Sequence, residues 1–164
     1  MASIMANMVV RNVFVYGTLL APEVVSALIH RAPTSSPALV HDYHRHGVKD
    51  RIYPAVSPAK GDKVYGKVLF DLTEWELEVF DMFEDIEYTR MVTTPILLVF
   101  PNLQRSFVPH TRCHDSLQAY IYVWASDVEL IGDWDYEAWR RIHLEEYVKM
   151  CEEFASQLPQ RTKD

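Results

Sequence analysis

A short acidic segment carries the side chains best suited to acid–base chemistry. Its four carboxylates within residues 81–90 are Asp81, Glu84, Asp85 and Glu87. Glu84 differs from the others because Leu77 and Phe80 form an apolar stripe at helical spacing, and Glu84 continues it. Burial of a carboxylate is costly unless it is paired, but burial also raises proton affinity and makes a general base that works near neutral pH. On spacing alone, the favoured alternative is that the helix has ended and Glu84 faces solvent. The other three are predicted to be solvated surface charges.

A turn with a single glycine is the second candidate. The apolar run 13–16 ends at Gly17, which predicts a buried strand that turns at the glycine. Pro22 then suits the first turn of a helix, since its missing N–H would be unpaired there. Glycine lets backbone approach a ligand closely, and the free N–H groups of a helix start favour a carboxylate or a phosphate. One glycine does not match the phosphate loops, and on this signal alone a purely structural turn is the favoured alternative.

Histidine and cysteine do not form a convincing second site. Two clusters hold possible metal ligands: His41, His44 and His46, and His110, Cys113 and His114. Neither cluster has the spacing of a structural zinc site with a second half-site. Cys113 near a histidine could be a thiol nucleophile, but no third group is in view. We therefore expect no metal site and no catalytic thiol.

The strands that must position the candidate residues come in adjacent pairs as well as alternating with helices. They are predicted at 13–16, 39–48, 53–56, 64–72, 91–100 and 117–124, with a turn at 61–62. Pro95 demands a bulge or an edge position. Residues 1–11 are predicted to be a loose leader, and 31–37 and 101–116 to be loops.

Two helices are marked by clear signals. Thr73 followed by Glu76 is a capping box, so a helix is predicted from there to residue 83 or 84. A longer helix is predicted over 133–158, where Trp139, Ile142 and Tyr147 belong to an apolar face at three- and four-residue steps. Strands outnumber helices, which favours an α+β fold with a mixed sheet.

The composition is that of a globular chain and argues against several classes of partner. The 164 residues are 49% hydrophobic and 24% charged, with a formal net charge of −7, so one domain over 1–164 is predicted. The acidic balance, without a dense basic run, argues against nucleic acid and anionic membranes. No apolar run approaches the roughly 18–20 residues of a membrane span, and the N-terminus lacks a secretory pattern. With two cysteines, which suit a reducing compartment, a soluble cytoplasmic protein is expected.

The turn and the acidic segment together resemble the gamma-glutamyl cyclotransferase-like superfamily. Residues 13–20 are similar to its opening motif, and 81–84, followed by Tyr88 and Arg90, are similar to its catalytic-glutamate segment. Segments 53–56, 64–66 and 119–124 fall in the expected order, so the resemblance spans about 13–125. The long helical pattern after it is typical of the plant avirulence-induced (AIG2-like) branch.

The resemblance implies a mixed, barrel-like β-sheet with flanking helices, and a site without metal or cofactor. The free α-amine of a small γ-glutamyl substrate would attack its own side-chain carbonyl, giving 5-oxoproline and a free amine. Glu84 would move the proton. The residues implied in substrate binding, largely through backbone N–H groups, are Val15, Tyr16, Gly17, Thr18, Leu19 and Leu20. Tyr53, Tyr88 and Tyr122 would line the pocket, although buried tyrosines more often serve only as core.

Two alternatives to an active enzyme stay open on sequence alone. One is a small-ligand-binding or stress-response protein that kept the fold and lost turnover. The other is a domain that docks a protein partner through its C-terminal helix. The residues at the far end of the pocket, which would name the substrate, and the oligomeric state are not assigned by the sequence.

Overall fold

A mixed β-sheet forms the centre of the fold in the computed structural model, which describes residues 9–98 and 117–159. Its strands in these residues are β1 (Val13–Val15), β2 (Ser35–Val48), β3 (Pro54–Leu69), β4 (Tyr88–Thr93), β5 (Ile96–Leu97), β6 (Ala119–Trp124) and β7 (Leu130–Ile131). The helices are α1 (Pro22–Ile29), α2 (Glu74–Glu84) and α3 (Tyr136–Ser156), and short 3₁₀ turns cover Thr18–Leu20 and Asp85–Glu87. The predicted α+β class, with a mixed sheet and a long C-terminal helix, is confirmed.

Three strands of the sheet, β1, β3 and β6, pair with one another. The order is β4-β6-β1-β3-β2-β5, and β7 pairs with β2. β1 is antiparallel to β3 and parallel to β6, while Val56 of β3 also faces Val123 of β6. Because β1, β3 and β6 pair with one another, the sheet curls around β1. The chain that leaves β1 therefore passes the start of β3.

Alternate residues of β1 face two hydrophobic cores, as the period of a strand requires. Val13 and Val15 belong to the core that the helices cover, and Phe14 belongs to a second core formed by residues of the strands. All three side chains are at most 3% exposed. The turn that follows β1 thus starts from a strand held on both faces.

Strands β2 and β3 form one long hairpin, whereas two short strands separated by a turn at 61–62 were predicted. β3 runs through these residues without a break, and its register against β2 shifts at this point. Asp42 (φ 67°) and Gly61 (φ 91°) both have left-handed backbone there, and the Gly61 N–H donates to Asp42 Oδ1 over 3.0 Å. The glycine thus marks a β-bulge and not the end of a strand. β2 also begins at Ser35, inside the predicted loop.

The predicted strand 91–100 is two strands in different parts of the sheet. β4 pairs with β6 as far as Thr93, and β5, beyond Pro95, pairs with β2. Proline has no N–H and cannot continue a ladder, so the chain changes partner there. The predicted loop 101–116 and residues 1–8 of the predicted leader lie outside the described residues.

Helix α3 contacts α1 and completes the helical core. Its buried residues are Trp139, Tyr147 and Cys151, and the Asp135 carboxylate caps its start by accepting the Ala138 N–H over 3.0 Å. The prediction that Ile142 lies on the buried face is wrong, since its side chain is 64% exposed. None of the helices in the described residues is long and apolar enough to cross a membrane.

Candidate active site

A cavity of about 370 Å³ opens where the end of β1, the end of α2 and the C-terminal half of α3 meet. Its walls are residues 14–19 from β1 and the following turn, 52–54 before and at the start of β3, 83–85 and 87–88 around the end of α2, Tyr122 of β6, and Tyr147, Met150 and Phe154 of α3. The volume lies toward the lower end of the 300–1,000 Å³ range of small-molecule sites. The two segments singled out from the sequence therefore line one cavity.

Close backbone contact explains the glycine in the turn. Gly17 has φ −127°, an ordinary value for any residue. A Cβ at this position would stand 2.8 Å from Cγ of Pro54, nearer than packed carbon atoms approach one another. The turn thus lies directly against the start of β3, and the 3₁₀ turn Thr18–Leu20 intervenes before α1 begins at Pro22.

Backbone N–H groups of the turn are available to a ligand. Among the described residues, none accepts a hydrogen bond from the N–H of Gly17, Thr18 or Leu19. Leu20 differs, because its N–H donates to the Gly17 carbonyl over 2.9 Å and its side chain packs against the helical core. Leu20 lies outside the cavity wall and leaves the set of candidate substrate contacts, while Val15 to Leu19 line it.

Arg45 of β2 supports the turn by a hydrogen bond to its backbone. Its Nη1 donates to the Tyr16 carbonyl over 2.9 Å, and its guanidinium lies 5.4 Å from the ring centroid of Trp134. Trp134 in turn donates its Nε1–H to the carbonyl of Ile52 over 2.9 Å. This chain of contacts fixes two segments of the cavity wall relative to each other. The sequence offered no signal for it, since Arg45 is 29 residues from Tyr16.

Glu84 is the last residue of α2 and lines the cavity. Leu77 and Phe80, two turns and one turn before it, are buried at 6% and 0% exposure, so the helical phase directs Glu84 to the same side. Burial raises the pKa of its carboxyl to about 8, and the nearby charge of Glu87 adds to the effect. Among the described residues, none donates a hydrogen bond to this carboxylate. The group therefore exchanges a proton near neutral pH.

The backbone just after Glu84 is strained. Asp85 has φ 56° and ψ −161°, a region that only glycine adopts readily. The reversal ends α2 immediately after Glu84 and leads into the 3₁₀ turn Asp85–Glu87. The Asp85 carboxylate accepts the Ile86 N–H over 2.8 Å, which offsets part of the cost. Because α2 ends at this point, Glu84 is its last residue and lies in the cavity wall.

Tyrosine hydroxyls form much of the inner wall, and each has a partner. Tyr16 donates to the carbonyl of Tyr122 over 2.5 Å, Tyr122 to Asp81 over 2.7 Å, and Tyr88 to the carbonyl of Pro54 over 2.8 Å. Burial, together with the charge of Glu84, raises the pKa of Tyr16 and Tyr88. These phenols are neutral, so their hydroxyls contribute shape and fixed dipoles.

A polar network lies at the mouth of the cavity. Tyr53 donates to Glu87 Oε1 over 2.8 Å and accepts from Arg51 Nε over 2.8 Å. Arg51 also lies 3.7 Å from Glu87 Oε2. Asp81 receives the Tyr122 hydroxyl and pairs with Arg90 at 3.2 Å. Asp81 and Glu87 are therefore partnered groups with side chains 40% and 29% exposed, and Asp85 is exposed.

Helix α3 supplies a wall that sequence reasoning missed. Tyr147, Met150 and Phe154 line the cavity, and Thr18 Oγ1 donates to the Tyr147 hydroxyl over 3.3 Å. The helical spacing indicated that Tyr147 faces inward. No local signal could indicate that it meets a turn about 130 residues away.

The histidines of β2 lie away from the cavity. His44 bridges Asp62 at 3.2 Å and Asp133 at 3.1 Å, and His46 contacts Ser57 Oγ at 3.1 Å. Within residues 9–98 and 117–159, no group of three or more histidine, cysteine, aspartate or glutamate side chains could hold a metal ion. The other predicted cluster, residues 110–114, lies outside the described residues.

Comparison with known proteins places the chain in a family. A family model described as gamma-glutamyl cyclotransferase, AIG2-like, matches residues 13–141. The chain belongs to this family. AIG2-like protein D of Arabidopsis thaliana is 44% identical over 149 residues, covering 90% of both chains. AIG2-like protein C of the same plant is 38% identical over 145 residues, covering 87% of this chain and 77% of its own.

Two solved structures share the fold. The solution structure of an Arabidopsis thaliana protein that is 27% identical superimposes with a TM-score of 0.59, covering 92% of this chain and 95% of its own. A gamma-glutamyl cyclotransferase structure superimposes with a TM-score of 0.56 over 93% and 90% of the two chains. At 13% identity the second likeness concerns the fold alone.

Proposed function

We propose that the protein is a gamma-glutamyl cyclotransferase that releases 5-oxoproline from a small γ-glutamyl compound. The observation that carries the proposal is a glutamate of raised pKa in the same cavity as a turn whose Gly17, Thr18 and Leu19 N–H groups have no acceptor among the described residues. A base and a set of backbone donors are the two groups that this ring closure needs. Membership of the gamma-glutamyl cyclotransferase, AIG2-like family supports the same reaction.

Glu84 acts as the proton carrier. As a carboxylate it accepts a proton from the α-amine of the substrate, whose nitrogen attacks the side-chain carbonyl carbon. A new C–N bond closes the five-membered ring, the original amide C–N bond breaks, and Glu84 returns the proton to the leaving nitrogen. The products are 5-oxoproline and a free amine, and no co-reactant is consumed. A pKa of about 8 allows both transfers near neutral pH.

The turn binds and orients the glutamyl group. The N–H groups of Gly17, Thr18 and Leu19 suit the α-carboxylate, and such donors also stabilise charge that develops on the carbonyl oxygen. Because the reaction is intramolecular, the site needs to hold only one folded conformer of the glutamyl chain. Arg45, which does not line the cavity, and Pro54, which does, both contact the turn and keep these donors in place.

A panel of γ-glutamyl compounds tests the proposal. Wild-type protein should release 5-oxoproline from at least one of a γ-glutamyl amine, a γ-glutamyl amino acid, γ-glutamyl-ε-lysine and glutathione, and Glu84→Gln should lose at least about 10²-fold of that activity. Glu78→Gln, an exposed change on the same helix, is the matched control. Full activity of Glu84→Gln with every accepted substrate would refute the mechanism. Binding without release by the wild type would favour a ligand-binding protein instead.

A further inference from the structure

We infer that the hydroxyl of Tyr147, oriented by the hydroxyl of Thr18, donates a hydrogen bond to the carbonyl oxygen that becomes negatively charged during ring closure. Tyr147 of α3 is then a second catalytic side chain beside Glu84. The inference deepens the proposed function and rests on it, because it assigns one more group to the same reaction.

The Tyr147 hydroxyl lies near both segments that carry the proposed chemistry. Its oxygen is 3.3 Å from Oγ1 of Thr18 in the turn. Burial raises the pKa of this phenol, and the nearby charge of Glu84 adds to the effect. A γ-glutamyl group with its carboxylate on the turn and its amine at Glu84 places the carbonyl that the amine attacks between them. Tyr147 lines this part of the cavity, so its hydroxyl faces the reacting carbonyl.

The proton of the Tyr147 hydroxyl has no acceptor among the described residues. A phenol carries one O–H donor as well as acceptor lone pairs, and Thr18 uses only a lone pair because it donates to the Tyr147 oxygen. The hydroxyls of Tyr16, Tyr88 and Tyr122 differ, since each donates to an oxygen of the protein. Tyr147 is only 7% exposed, and a buried donor without a partner is costly. A ligand oxygen in the cavity would satisfy it.

Aromatic neighbours hold the Tyr147 ring in place. Phe83 and Trp139 contact it edge to face, with ring centroids 6.2 Å and 5.3 Å away and interplanar angles of 89° and 80°. Such contacts favour one orientation of the ring. The hydroxyl is therefore positioned before a substrate arrives, and a donor positioned in this way needs no reorganisation when charge develops.

The hydrogen bond stabilises charge and leaves proton transfer to Glu84. When the amine nitrogen attacks, one electron pair of the carbonyl double bond moves onto the oxygen. The pair returns when the amide C–N bond breaks. Because burial raises the pKa of the Tyr147 phenol, its proton stays on the phenol throughout. Tyr147 thus acts most strongly in the transition state, where the oxygen carries most charge.

The kinetics of Tyr147→Phe test the role in turnover. This variant keeps the ring and should lower kcat about 10²-fold, while KM changes less than about threefold. Tyr136→Phe is the matched control, because it removes a hydroxyl from the same helix outside the cavity wall. Urea midpoints of both variants check that the fold is intact. A kcat within about threefold of the wild type, or a loss confined to KM, would overturn the inference.

Two ligands that differ only in a carbonyl test the contact without turnover. 3-Oxocyclopentanecarboxylate has the ring, carboxylate and carbonyl of 5-oxoproline, and cyclopentanecarboxylate lacks the carbonyl. In NMR titrations, Tyr147→Phe should weaken the ketone about fivefold and leave the second ligand unchanged. Equal effects on both ligands, no effect on either, or no binding of either to the wild type would contradict the contact. Absence of 5-oxoproline release by the wild type would count against the proposed function, while the ligand pair would still decide on Tyr147.

Thr18→Val tests whether the two hydroxyls act together. It keeps the size of the side chain and should lower kcat several-fold, because the Tyr147 hydroxyl loses the donor that orients it. In the Tyr147→Phe protein the same change should have no further effect, since interacting residues are not additive. If the two losses multiply, Thr18 does not act through Tyr147 and the inferred pair is wrong.

Discussion

Glutamine at position 84 should stabilise the protein at alkaline pH, and the gain should vanish in acid. Burial raises the pKa of the Glu84 carboxyl from 4.5 to about 8. Between these values the folded protein keeps a proton that the unfolded chain releases, so the stability of the wild type falls as pH rises toward 8 and then levels off. Below pH 4.5 the Glu84 carboxyl is protonated in both the folded and the unfolded state, so its titration costs no stability. Glutamine has nearly the same shape and does not titrate.

The magnitude follows from the same two pKa values. Each tenfold change in proton affinity corresponds to 1.36 kcal/mol. A pKa raised from 4.5 to about 8 therefore sets an upper bound of about 5 kcal/mol on the stability that the wild type loses at alkaline pH. The side chain keeps some contact with solvent through the cavity, which stabilises the carboxylate and reduces the effect. We expect Glu84→Gln to gain about 2–3 kcal/mol in the free energy of unfolding at pH 8.5 and less than about 1 kcal/mol at pH 5.

Urea unfolding of both proteins at pH 5 and pH 8.5 measures this difference. Glu78→Gln, at an exposed position of α2, measures how the loss of a solvated negative charge changes the free energy of unfolding. The reasoning is refuted if Glu84→Gln and Glu78→Gln change stability equally at both pH values. That result would mean that the Glu84 carboxylate is as well solvated in the folded protein as in the unfolded chain.

Four further predictions concern the site and its support. With an accepted substrate, kcat/KM should rise with pH and level off near 8, because Glu84 must be deprotonated to act as a base; a profile flat from pH 6 to 9 would contradict this. Gly17→Ala should lose about 1–3 kcal/mol in urea unfolding because its Cβ meets the ring of Pro54, and Pro54→Ala in the same protein should restore part of the loss. In Arg45→Met, the factor by which KM rises should be about ten times the factor by which kcat falls, because the carbonyl of Tyr16 loses its charged hydrogen-bond donor. An unchanged KM would show that Arg45 does not hold the turn in its binding conformation. Arg31→Met should cost about 2 kcal/mol, because the 8%-exposed Glu76 loses its ion pair, whereas Arg11→Met, at the exposed pair with Glu74, should change the free energy of unfolding by less than about 0.5 kcal/mol.

Short-range rules determined the elements that carry the two key segments. The Thr73 capping box forms as predicted, with the Glu76 N–H donating to Thr73 Oγ1 over 3.1 Å and the Glu76 carboxylate accepting the Thr73 N–H over 2.8 Å. Helical period alone then aligned Glu84 with Leu77 and Phe80. These signals depend on residues within one or two turns of one another, so a single sequence contains them.

Errors in the predicted strands arose where pairing, and not local pattern, decides. Gly61 suggested a turn, but the ladder with β2 continues past it through a bulge. Pro95 suggested a bulge in one strand, but the chain changes partner from β6 to β2 there. A strand has no internal hydrogen bonds, so its length and continuity depend on a partner that is distant in sequence.

Tertiary structure alone decided what surrounds the candidate base. Whether Glu84 faces solvent or a cavity depends on β1, on Tyr122 and on α3, which begins 52 residues after it. The raised pKa, the support of Tyr16 by Arg45, and the aromatic wall at Phe154 all arise from contacts between distant segments. The sequence by itself determined a helix that ends in a glutamate and a strand that ends in a glycine. The packing of distant elements, which no local periodicity encodes, brought the two into one cavity and set the proton affinity of the carboxyl.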